Sequence, residues 1–248
     1  MPWRETSDPY HILVSEVMLQ QTQVGRVVEK FKEFVAAFPD IVALDRASLQ
    51  EVLSIWQGLG YNRRALALKS VARQVLEEFG GRLPGSAVDL MQLKGVGPYT
   101  ANAVMAFAFN EPVVLVETNI RTVFIHHFFT DDEGVRDSGI LPLVEATLDR
   151  DNPRVWYWAL MDYGTMLKKS GLDMNARSAH YQRQTPFHGS FRQVRGMILK
   201  ALVSTADLTI LDIARETGLS SDRVSEAVQR LEAEGFIVSE TTGYRVSE

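Results

Sequence analysis

The feature that most constrains this chain is the segment LKGVGPYTANA at residues 93–103, where two glycines separate two apolar helical patterns. Pro98 directly follows Gly97, and proline is favoured at the first position of a helix. Such a turn can direct consecutive backbone N–H groups outward beside a helix N-terminus, where a phosphate oxygen is well held. A turn that merely joins two helices is the structural alternative. The segment predicts a helical hairpin suited to gripping a nucleic-acid backbone.

The remainder of the first 190 residues has the apolar period of α-helices. Asp8 followed by Pro9 predicts a helix start, with apolar residues after it and Glu16 on the same apolar face. Similar periods run through residues 24–38, 49–56, 64–79, 87–93, 99–109, 118–129 and 140–148. Long alternating runs are absent before the C-terminal tail, so the sequence predicts an all-α body.

The pattern changes after Gly189. Three helical segments are followed by an alternating segment around Thr242 and Gly243, which predicts a β-hairpin. This order resembles a winged-helix domain. Residues 201–248 carry four arginines against nine acids, and an acidic surface repels phosphate. We therefore expect this tail to have a structural role or to bind a protein partner.

Composition narrows the classes of function. The chain contains no cysteine, which excludes disulfides, thiolate metal sites and cysteine nucleophiles. It has no long apolar stretch and no signal-peptide pattern, so we expect no membrane association and a cytoplasmic location. The net charge of −5 does not argue against a nucleic-acid partner, because residues 168–200 carry seven basic residues against one acid.

Three further motifs accompany the hairpin: SEVMLQQTQV at 15–24, WQGLGYNRRA at 56–65 and ETNIRTVF at 117–124. Together the four motifs resemble the helix-hairpin-helix DNA glycosylase superfamily, most closely its MutY-like adenine glycosylases, over roughly residues 2–195. The resemblance implies two helical subdomains with a cleft between them. It also implies a nucleoid-associated, monomeric enzyme that acts on double-stranded DNA with a mispaired or damaged base.

The expected boundaries follow from the motifs and the change in pattern. The glycosylase body should span residues 1–190, and the winged helix residues 191–248. Within the body, a six-helix subdomain should cover about 12–115. The N-terminus and about 116–190 should form the second helical subdomain.

Two carboxylates are the expected chemical groups, because cutting an N-glycosidic bond requires an acid for the leaving base and a negative charge for the sugar cation. By resemblance Glu16 is the general acid, and its apolar neighbours should raise its pKa. Glu117 stands where relatives have aspartate, so its extra methylene should carry the carboxylate about a bond length outward. The alternatives are a helix-surface carboxylate at Glu16 and a helix cap at Glu117.

Two more residues complete the predicted catalytic set. Tyr99 occupies the position at which bifunctional relatives carry a Schiff-base lysine, so the resemblance implies a monofunctional enzyme in which Tyr99 shapes the pocket. Asn119 matches an asparagine that positions the attacking water in relatives. A core tyrosine and a helix-start amide are the structural alternatives.

The predicted DNA contacts come from three of the motifs. The amide-rich end of the first motif can fill the space left by an extruded nucleotide or bond base edges, although a polar helix end is the alternative. In the second motif, Asn62 stands where relatives usually have a second aromatic, which leaves pocket selectivity open. The predicted contacts are Gln20, Gln21, Thr22, Gly58, Gly60, Tyr61, Gly95, Gly97 and Thr100.

Many relatives bind an iron–sulfur cluster after a motif that corresponds here to Met161–Gly164. Their spacing would assign Lys168, Asn175, Ser178 and Gln184 as ligands, and none of these suits such a cluster. We therefore expect no cluster, no metal site and no cofactor; whether hairpin carbonyls hold a monovalent cation is left open. The basic loop can instead present charge to phosphates, with Met166, Leu172, Met174 and Tyr181 packing it in place.

The sequence predicts a monofunctional glycosylase that flips and excises adenine opposite 8-oxoguanine or guanine in base excision repair. A thymine or uracil mismatch glycosylase on the same fold is the second hypothesis. A catalytically inactive DNA-binding protein is the third, because the change at Glu117 and the missing cluster are also expected of a decayed enzyme.

Overall fold

The structure, a computed structural model, describes residues 1–172, 174–181 and 186–247, and it is predominantly helical over these residues. Short 3-10 helices cover Pro2–Arg4 and Met174–Arg177. The α-helices are α1 (Pro9–Leu19), α2 (Val24–Ala37), α3 (Ile41–Arg46), α4 (Leu49–Trp56), α5 (Arg63–Glu78), α6 (Ala87–Leu90), α7 (Pro98–Ala108), α8 (Thr118–Phe128), α9 (Asp137–Thr147), α10 (Pro153–Lys169), α11 (Phe191–Ser204), α12 (Ile210–Thr217) and α13 (Ser221–Ala233). Strands β1 (Ile237–Ser239) and β2 (Tyr244–Val246) form an antiparallel hairpin. The predicted all-α body and winged-helix pattern are confirmed.

Local signals in the sequence explain several helix starts. The Asp8 carboxylate accepts the N–H groups of Tyr10 at 2.8 Å and His11 at 3.2 Å, which confirms the predicted start of α1. At α4, the Ser48 hydroxyl accepts the N–H of Glu51 at 3.2 Å, while the Glu51 carboxylate accepts the N–H of Ser48 at 2.7 Å. This reciprocal capping box satisfies two donors that the helix itself leaves unpaired.

Two helices lie outside the periodic segments found in the sequence. Helix α3 has only six residues, which is too short to display a helical period. Helix α10 has 17 residues and begins at Pro153, a start signal that the periodic analysis did not use. The segment predicted to be helical over 87–93 ends earlier, because α6 stops at Leu90 and a turn follows.

The chain forms two compact units. Unit 1 contains Met1–Pro2, Val17–Arg82 and Thr185–Glu248, and unit 2 contains Trp3–Glu16 and Leu83–Gln184. This division differs from the expected boundaries: residues 83–115 group with the segment that follows them, and the winged helix groups with α2 to α5. The expected limits of the body, its two subdomains and the winged helix stay a prediction.

Unit 2 is organised by the packing of α8 against α10. Tyr157 of α10 is fully buried, and Phe107 of α7 stacks on Trp158 with ring centroids 6.2 Å apart. Gly164 allows the closest approach, since a Cβ at that position would lie 2.3 Å from the backbone oxygen of Asn119. The backbone of α10 therefore lies directly against the start of α8.

Unit 1 joins the winged helix to the helices before it. The Gln50 side chain of α4 donates to the Val203 carbonyl of α11 at 3.0 Å. Glu234, after α13, accepts Arg63 of α5 at 2.7 Å and Arg195 of α11 at 3.0 Å, and these guanidinium groups lower the pKa of Glu234 to about 2. The Glu234 carboxylate thus forms ion pairs with both α5 and α11.

The loop after α10 is held differently from the prediction. Of the four apolar residues expected to pack this loop, Met166, Leu172 and Tyr181 are exposed and only Met174 is half-buried, so apolar packing contributes little. Instead the Arg177 guanidinium donates to the Phe129 carbonyl at 2.6 Å, and a backbone bridge joins the loop to Val135. Over the three described ranges, no helix combines the length and apolar character of a membrane span.

Candidate active site

Glu16 is buried near the C-terminal half of α1, with only 7% of its surface exposed. The Tyr99 hydroxyl donates to Glu16 Oε2 at 3.0 Å. Burial raises the pKa of Glu16 from 4.5 to about 7; the negative charge of Glu117 adds to this rise, and the bond from Tyr99 opposes it. The raised pKa expected from the sequence is confirmed, so a large fraction of this carboxyl group carries a proton at neutral pH.

Glu117 is the N-cap of α8. Its Oε1 accepts the backbone N–H groups of Asn119 at 2.6 Å and Ile120 at 2.9 Å. The capping alternative is therefore confirmed, and the longer side chain turns back onto the helix instead of extending outward, because two unpaired amides attract it. Burial raises the pKa of Glu117, while those N–H groups and the charges of Lys168 and Arg121 oppose the rise.

Tyr99 and Asn119 lie beside the two carboxyl groups. Burial, followed by the charges of Glu16 and Glu117, raises the pKa of Tyr99 well above its usual range, so it remains a neutral hydrogen-bond donor. Asn119 Nδ2 lies 3.4 Å from Glu117 Oε2, and Asn119 Oδ1 accepts the Lys168 ammonium at 2.8 Å. The four predicted catalytic residues are thus brought together within unit 2.

The Tyr157 hydroxyl anchors the segment that leads to Glu117. The Tyr157 hydroxyl accepts the N–H of Leu115 at 3.1 Å and donates to the Val113 carbonyl at 2.8 Å. These bonds satisfy backbone groups in a segment outside regular structure. They also fix the position of the backbone just before Glu117, where α8 begins.

The glycine hairpin adopts the conformation that its sequence predicts. Gly95 has φ +84°, which strongly favours glycine, and the Val96 N–H donates to the Leu93 carbonyl at 3.0 Å. Gly97 is the N-cap of α7 and, with Gly95, is exposed. Thr100, in the first turn of α7, is buried, so the exposed backbone of this hairpin lies at Gly95 and Gly97.

The amide-rich segment lies just beyond α1, because the helix ends at Leu19. Gln21 has φ +53° and is exposed, while Gln20 and Thr22 are half-buried. The buried Arg64 guanidinium holds this turn, donating to the Gln20 carbonyl at 2.6 Å and to the Thr22 hydroxyl at 3.0 Å. Hydrogen bonds from a buried guanidinium therefore hold the backbone conformation of this loop.

Arg64 also holds the second predicted DNA-binding loop. Gly58, Gly60 and Tyr61 all have positive φ angles, and the three are exposed. Arg64 donates to the Gly60 carbonyl at 3.0 Å, and the Trp56 indole N–H donates to the same oxygen at 3.1 Å. Both loops of unit 1 thus share one anchor.

Arg64 is the main residue that sequence reasoning missed. Burial lowers its pKa to about 10, and its guanidinium lies 5.5 Å from the centre of the Tyr61 ring. Arg192 contacts the same ring at 5.5 Å and donates to its hydroxyl at 2.6 Å. The Arg63–Arg64 pair after the glycine loop was the available signal, since successive side chains on a helix point in different directions.

The positions assigned to cluster ligands by resemblance do not fit an iron–sulfur cluster. Lys168 and Ser178 supply no thiolate, Asn175 is an amide, and Gln184 lies outside the described residues. Among the residues that the structure describes, no group of three or more His, Cys, Asp or Glu side chains could hold a metal ion.

The basic stretch at 168–200 is not a uniformly solvated surface. Lys168 bonds Asn119, Arg177 bonds backbone carbonyls near Phe129, and Arg195 pairs with Glu234. Arg183 lies outside the described residues. Several of these charges are therefore committed to internal contacts, which reduces the charge available for phosphates.

Known proteins with similar sequences include several adenine DNA glycosylases. Adenine DNA glycosylase of Buchnera aphidicola subsp. Baizongia pistaciae is 32% identical over 171 residues, which is 67% of this chain and 48% of that protein. Human adenine DNA glycosylase is 41% identical over 132 residues, which is 50% of this chain and 24% of that protein. The chain thus spans about half or less of the length of these relatives.

Solved structures give a consistent fold. A thermostable thymine-DNA glycosylase aligns with TM-score 0.60 and 26% identity, over 73% of this chain and 88% of that chain. A trapped endonuclease III–DNA covalent intermediate aligns with TM-score 0.57 and 19% identity, over 73% and 78% respectively, and this likeness concerns the fold alone.

Two family models match the sequence. The winged helix-turn-helix DNA-binding model matches residues 192–238. The model of the HhH-GPD superfamily of base excision DNA repair proteins matches residues 14–138, which include Glu16, the glycine hairpin and Glu117. Because that match covers half of the chain, this protein belongs to the HhH-GPD superfamily.

Proposed function

We propose that this chain is a DNA N-glycosylase that removes adenine mispaired with 8-oxoguanine or guanine from duplex DNA. One observation carries the proposal: a buried carboxyl group at Glu16, with pKa about 7, lies beside Tyr99 and in the field of Glu117. A general acid is most useful when its pKa is near the working pH. The similarity to adenine DNA glycosylases supports the choice of base.

The reaction uses the two carboxyl groups in different roles. Glu16 donates a proton to a ring nitrogen of the flipped adenine, and the C1′–N bond then breaks with its electron pair passing to the base. The carboxylate of Glu117 stabilises the positive charge that develops on the sugar. Water adds through its oxygen to C1′ and releases a proton, giving free adenine and an abasic site.

The contacts of each carboxyl group support this assignment. Glu117 accepts two backbone N–H groups and is attracted by Lys168 and Arg121, all of which favour its ionised form. Glu16 has one neutral donor, Tyr99, and is repelled by Glu117. Burial raises the pKa of both groups, but the cations and backbone donors that oppose this rise are at Glu117, which suits Glu117 to the negative charge and Glu16 to the proton.

The chemistry at the hairpin is that of a monofunctional enzyme. The side chain at position 99 is a phenol, which cannot form the Schiff base needed for strand cleavage. The enzyme requires no iron–sulfur cluster in this proposal, because the chain has no cysteine to hold one. A monovalent cation bound by the hairpin carbonyls stays a prediction.

The proposed partner is duplex DNA, contacted by the exposed backbone at Gly95 and Gly97 and by the loop around Gly58 and Gly60. In this proposal the protein acts as a monomer on a duplex with a mispaired or damaged base. The acidic winged helix has a structural role or binds a protein partner in this proposal, since phosphate is repelled by its net negative charge.

A second candidate is excision of thymine or uracil mispaired with guanine. The observation that favours it is the alignment with a thermostable thymine-DNA glycosylase, which has the highest TM-score, 0.60, of the solved structures compared above. The third candidate, an inactive DNA-binding protein, keeps the same fold without excision.

Single-turnover base release separates the three candidates. Duplexes would carry adenine opposite 8-oxoguanine or guanine, thymine or uracil opposite guanine, and hypoxanthine as a further base. We expect release of adenine from the first two. Release confined to thymine or uracil would establish the second candidate, and duplex binding without any release would establish the third.

The role of Glu16 is tested in the same assay. Glu16→Gln should abolish adenine release with little loss of duplex affinity, because the amide cannot donate the required proton in the same way. Glu111→Gln is a matched control at an exposed glutamate of unit 2 and should keep wild-type activity. Retained release in the first variant would remove Glu16 from its role.

A further inference from the structure

Lys168, in the last turn of α10, reaches the start of α8. Its ammonium group donates to Asn119 Oδ1 at 2.8 Å, and the lysine is half-buried. Burying a lysine carries an unfavourable desolvation cost unless its charge is compensated. A lysine kept in this position therefore points to a role for its charge beside the site.

Asn175, in the 3-10 helix at Met174–Arg177, completes a polar bridge. In the amide orientation that satisfies both of its polar atoms, its oxygen accepts the Lys168 ammonium at 3.1 Å and its nitrogen donates to the Thr118 carbonyl at 3.1 Å. The bridge therefore joins the end of α10, the loop after it and the first turn of α8 through direct hydrogen bonds.

The bridge determines which way the Asn119 amide faces. An ammonium group has donors and no acceptor, so Asn119 must present its oxygen to Lys168. Its NH₂ group is thereby turned toward Glu117 Oε2, 3.4 Å away. Lys168 and Glu117 thus favour the same orientation of this amide from its two ends, and without Lys168 only the 3.4 Å contact with Glu117, among the residues that the structure describes, would hold it.

Lys168 also places a positive charge near Glu117. The groups that face Glu117 from neighbouring elements are Glu16 of α1, Tyr99 of α7 and Lys168 of α10, with Arg121 on α8 itself. The first of these is acidic and the second neutral. Lys168 is thus a cation that another helix places near this carboxyl group.

Arg121 is less able to supply that charge. Its guanidinium pairs with Asp137 through two bonds of 2.7 Å and 2.8 Å, so a carboxylate already offsets part of its field. Lys168 donates to the amide oxygens of Asn119 and Asn175, beside the first turn of α8.

We propose that Lys168 is a positioning residue for base excision, orienting the Asn119 amide through its bridge to Asn175 and holding a positive charge beside Glu117. This inference rests on the proposed function. It adds a residue from α10 to a site whose other members come from α1, α7 and α8.

The test compares Lys168→Met with Lys169→Met, which removes the same charge from an adjacent, exposed lysine. Under single-turnover conditions with saturating enzyme, Lys168→Met should slow adenine release by on the order of 10- to 100-fold, the usual effect of misplacing a catalytic group. Lys169→Met should stay within about twofold of wild type, and Lys168→Arg should recover part of the rate because it keeps the charge. Duplex affinity, measured with a stable abasic analogue, should be unchanged in Lys168→Met.

A second variant keeps the test decisive if Lys168→Met does not fold. Asn175→Ala removes one end of the bridge and leaves Lys168 in the chain, so it should give a smaller loss of rate. If Lys168→Met does not fold, wild-type release in Asn175→Ala would overturn the bridge. A folded Lys168→Met enzyme with wild-type release would overturn the proposal outright.

A readout without activity keeps this inference separate from the proposed function. The Glu117 carboxyl carbon can be followed by NMR across a pH titration in wild type, Lys168→Met and Lys169→Met. Loss of the neighbouring cation should raise the pKa of Glu117 in Lys168→Met alone. If wild type releases no base, the proposed function fails, while this titration still decides whether Lys168 acts on Glu117; identical titrations would refute that action.

Discussion

Replacing Glu16 by Gln should change how stability depends on pH in a defined way. Burial raises the pKa of Glu16 from 4.5 in an unfolded chain to about 7 in the folded protein. Between these values the folded state keeps a proton that the unfolded state has lost. The stabilisation is fully present below pH 4.5 and is lost as the pH rises toward 7.

The magnitude follows from that rise in pKa. One pKa unit corresponds to about 1.4 kcal/mol, so the change from 4.5 to about 7 amounts to roughly 3 kcal/mol. Glutamine cannot ionise, but its carbonyl oxygen can still accept the Tyr99 hydroxyl. Relative to wild type, Glu16→Gln should therefore gain roughly 3 kcal/mol of unfolding free energy between pH 4.5 and 7, and gain nothing further above that range.

Urea unfolding at closely spaced pH values would measure this difference. Glu111→Gln serves as the control, because its side chain is exposed and its stability curve should run parallel to that of wild type. Parallel curves for wild type and Glu16→Gln would refute the reasoning, since they would mean that Glu16 keeps an ordinary pKa despite its burial.

Two further predictions concern packing and ion pairing. Gly164→Ala should destabilise the protein by about 1–3 kcal/mol and slow base release, because the new methyl group would lie 2.3 Å from the Asn119 backbone oxygen; thermal unfolding and single-turnover rates would measure both. Gly196→Ala, with no heavy atom of the described chain within 4 Å of its Cβ, is the control and should be neutral or stabilising by up to about 1 kcal/mol. Glu234→Gln should cost about 1–2 kcal/mol at pH 7 after allowance for solvent screening of the exposed Arg63. Since the pKa of Glu234 is lowered to about 2, this difference should vanish as the pH falls from 4.5 toward 2, and a loss that persisted in acid would contradict it.

Helix positions were largely predictable because their signals are local. The predicted segment 49–56 coincides with α4, and the segments at 24–38 and 118–129 each end one residue beyond the helices observed. Capping side chains and glycines with positive φ act within a few residues of their own position, so the sequence contains them directly. Helix α3 was missed because six residues are too few to show a period.

The predicted catalytic residues came from motifs, while their electrostatics came from packing. The sequence placed Glu16 among apolar neighbours, which correctly predicted a raised pKa. It could not show that Glu117 turns back to cap α8, because the direction of a side chain depends on the amides and charges that surround it. The catalytic roles stay predictions until base release is measured.

Arg64 and Lys168 illustrate what lay beyond the motifs. Arg64 donates to the Gln20 carbonyl, which lies more than 40 residues earlier in the chain. Lys168 donates to Asn119, which is 49 residues away. No local pattern distinguishes such a buried cation from a solvated one. Only the close approach of α10 to α8 decides which lysine of the pair at 168 and 169 faces the site.

The amino-acid sequence alone determined the helical character of the body, the glycine hairpin, the C-terminal β-hairpin and the exclusion of cysteine chemistry, because each depends on residue type and short-range spacing. The tertiary structure decided which carboxyl groups lose water, which cations reach them and how the winged helix attaches to the helices of unit 1. Burial and charge coupling depend on distances between residues far apart in the chain, and those distances exist only after the chain has folded.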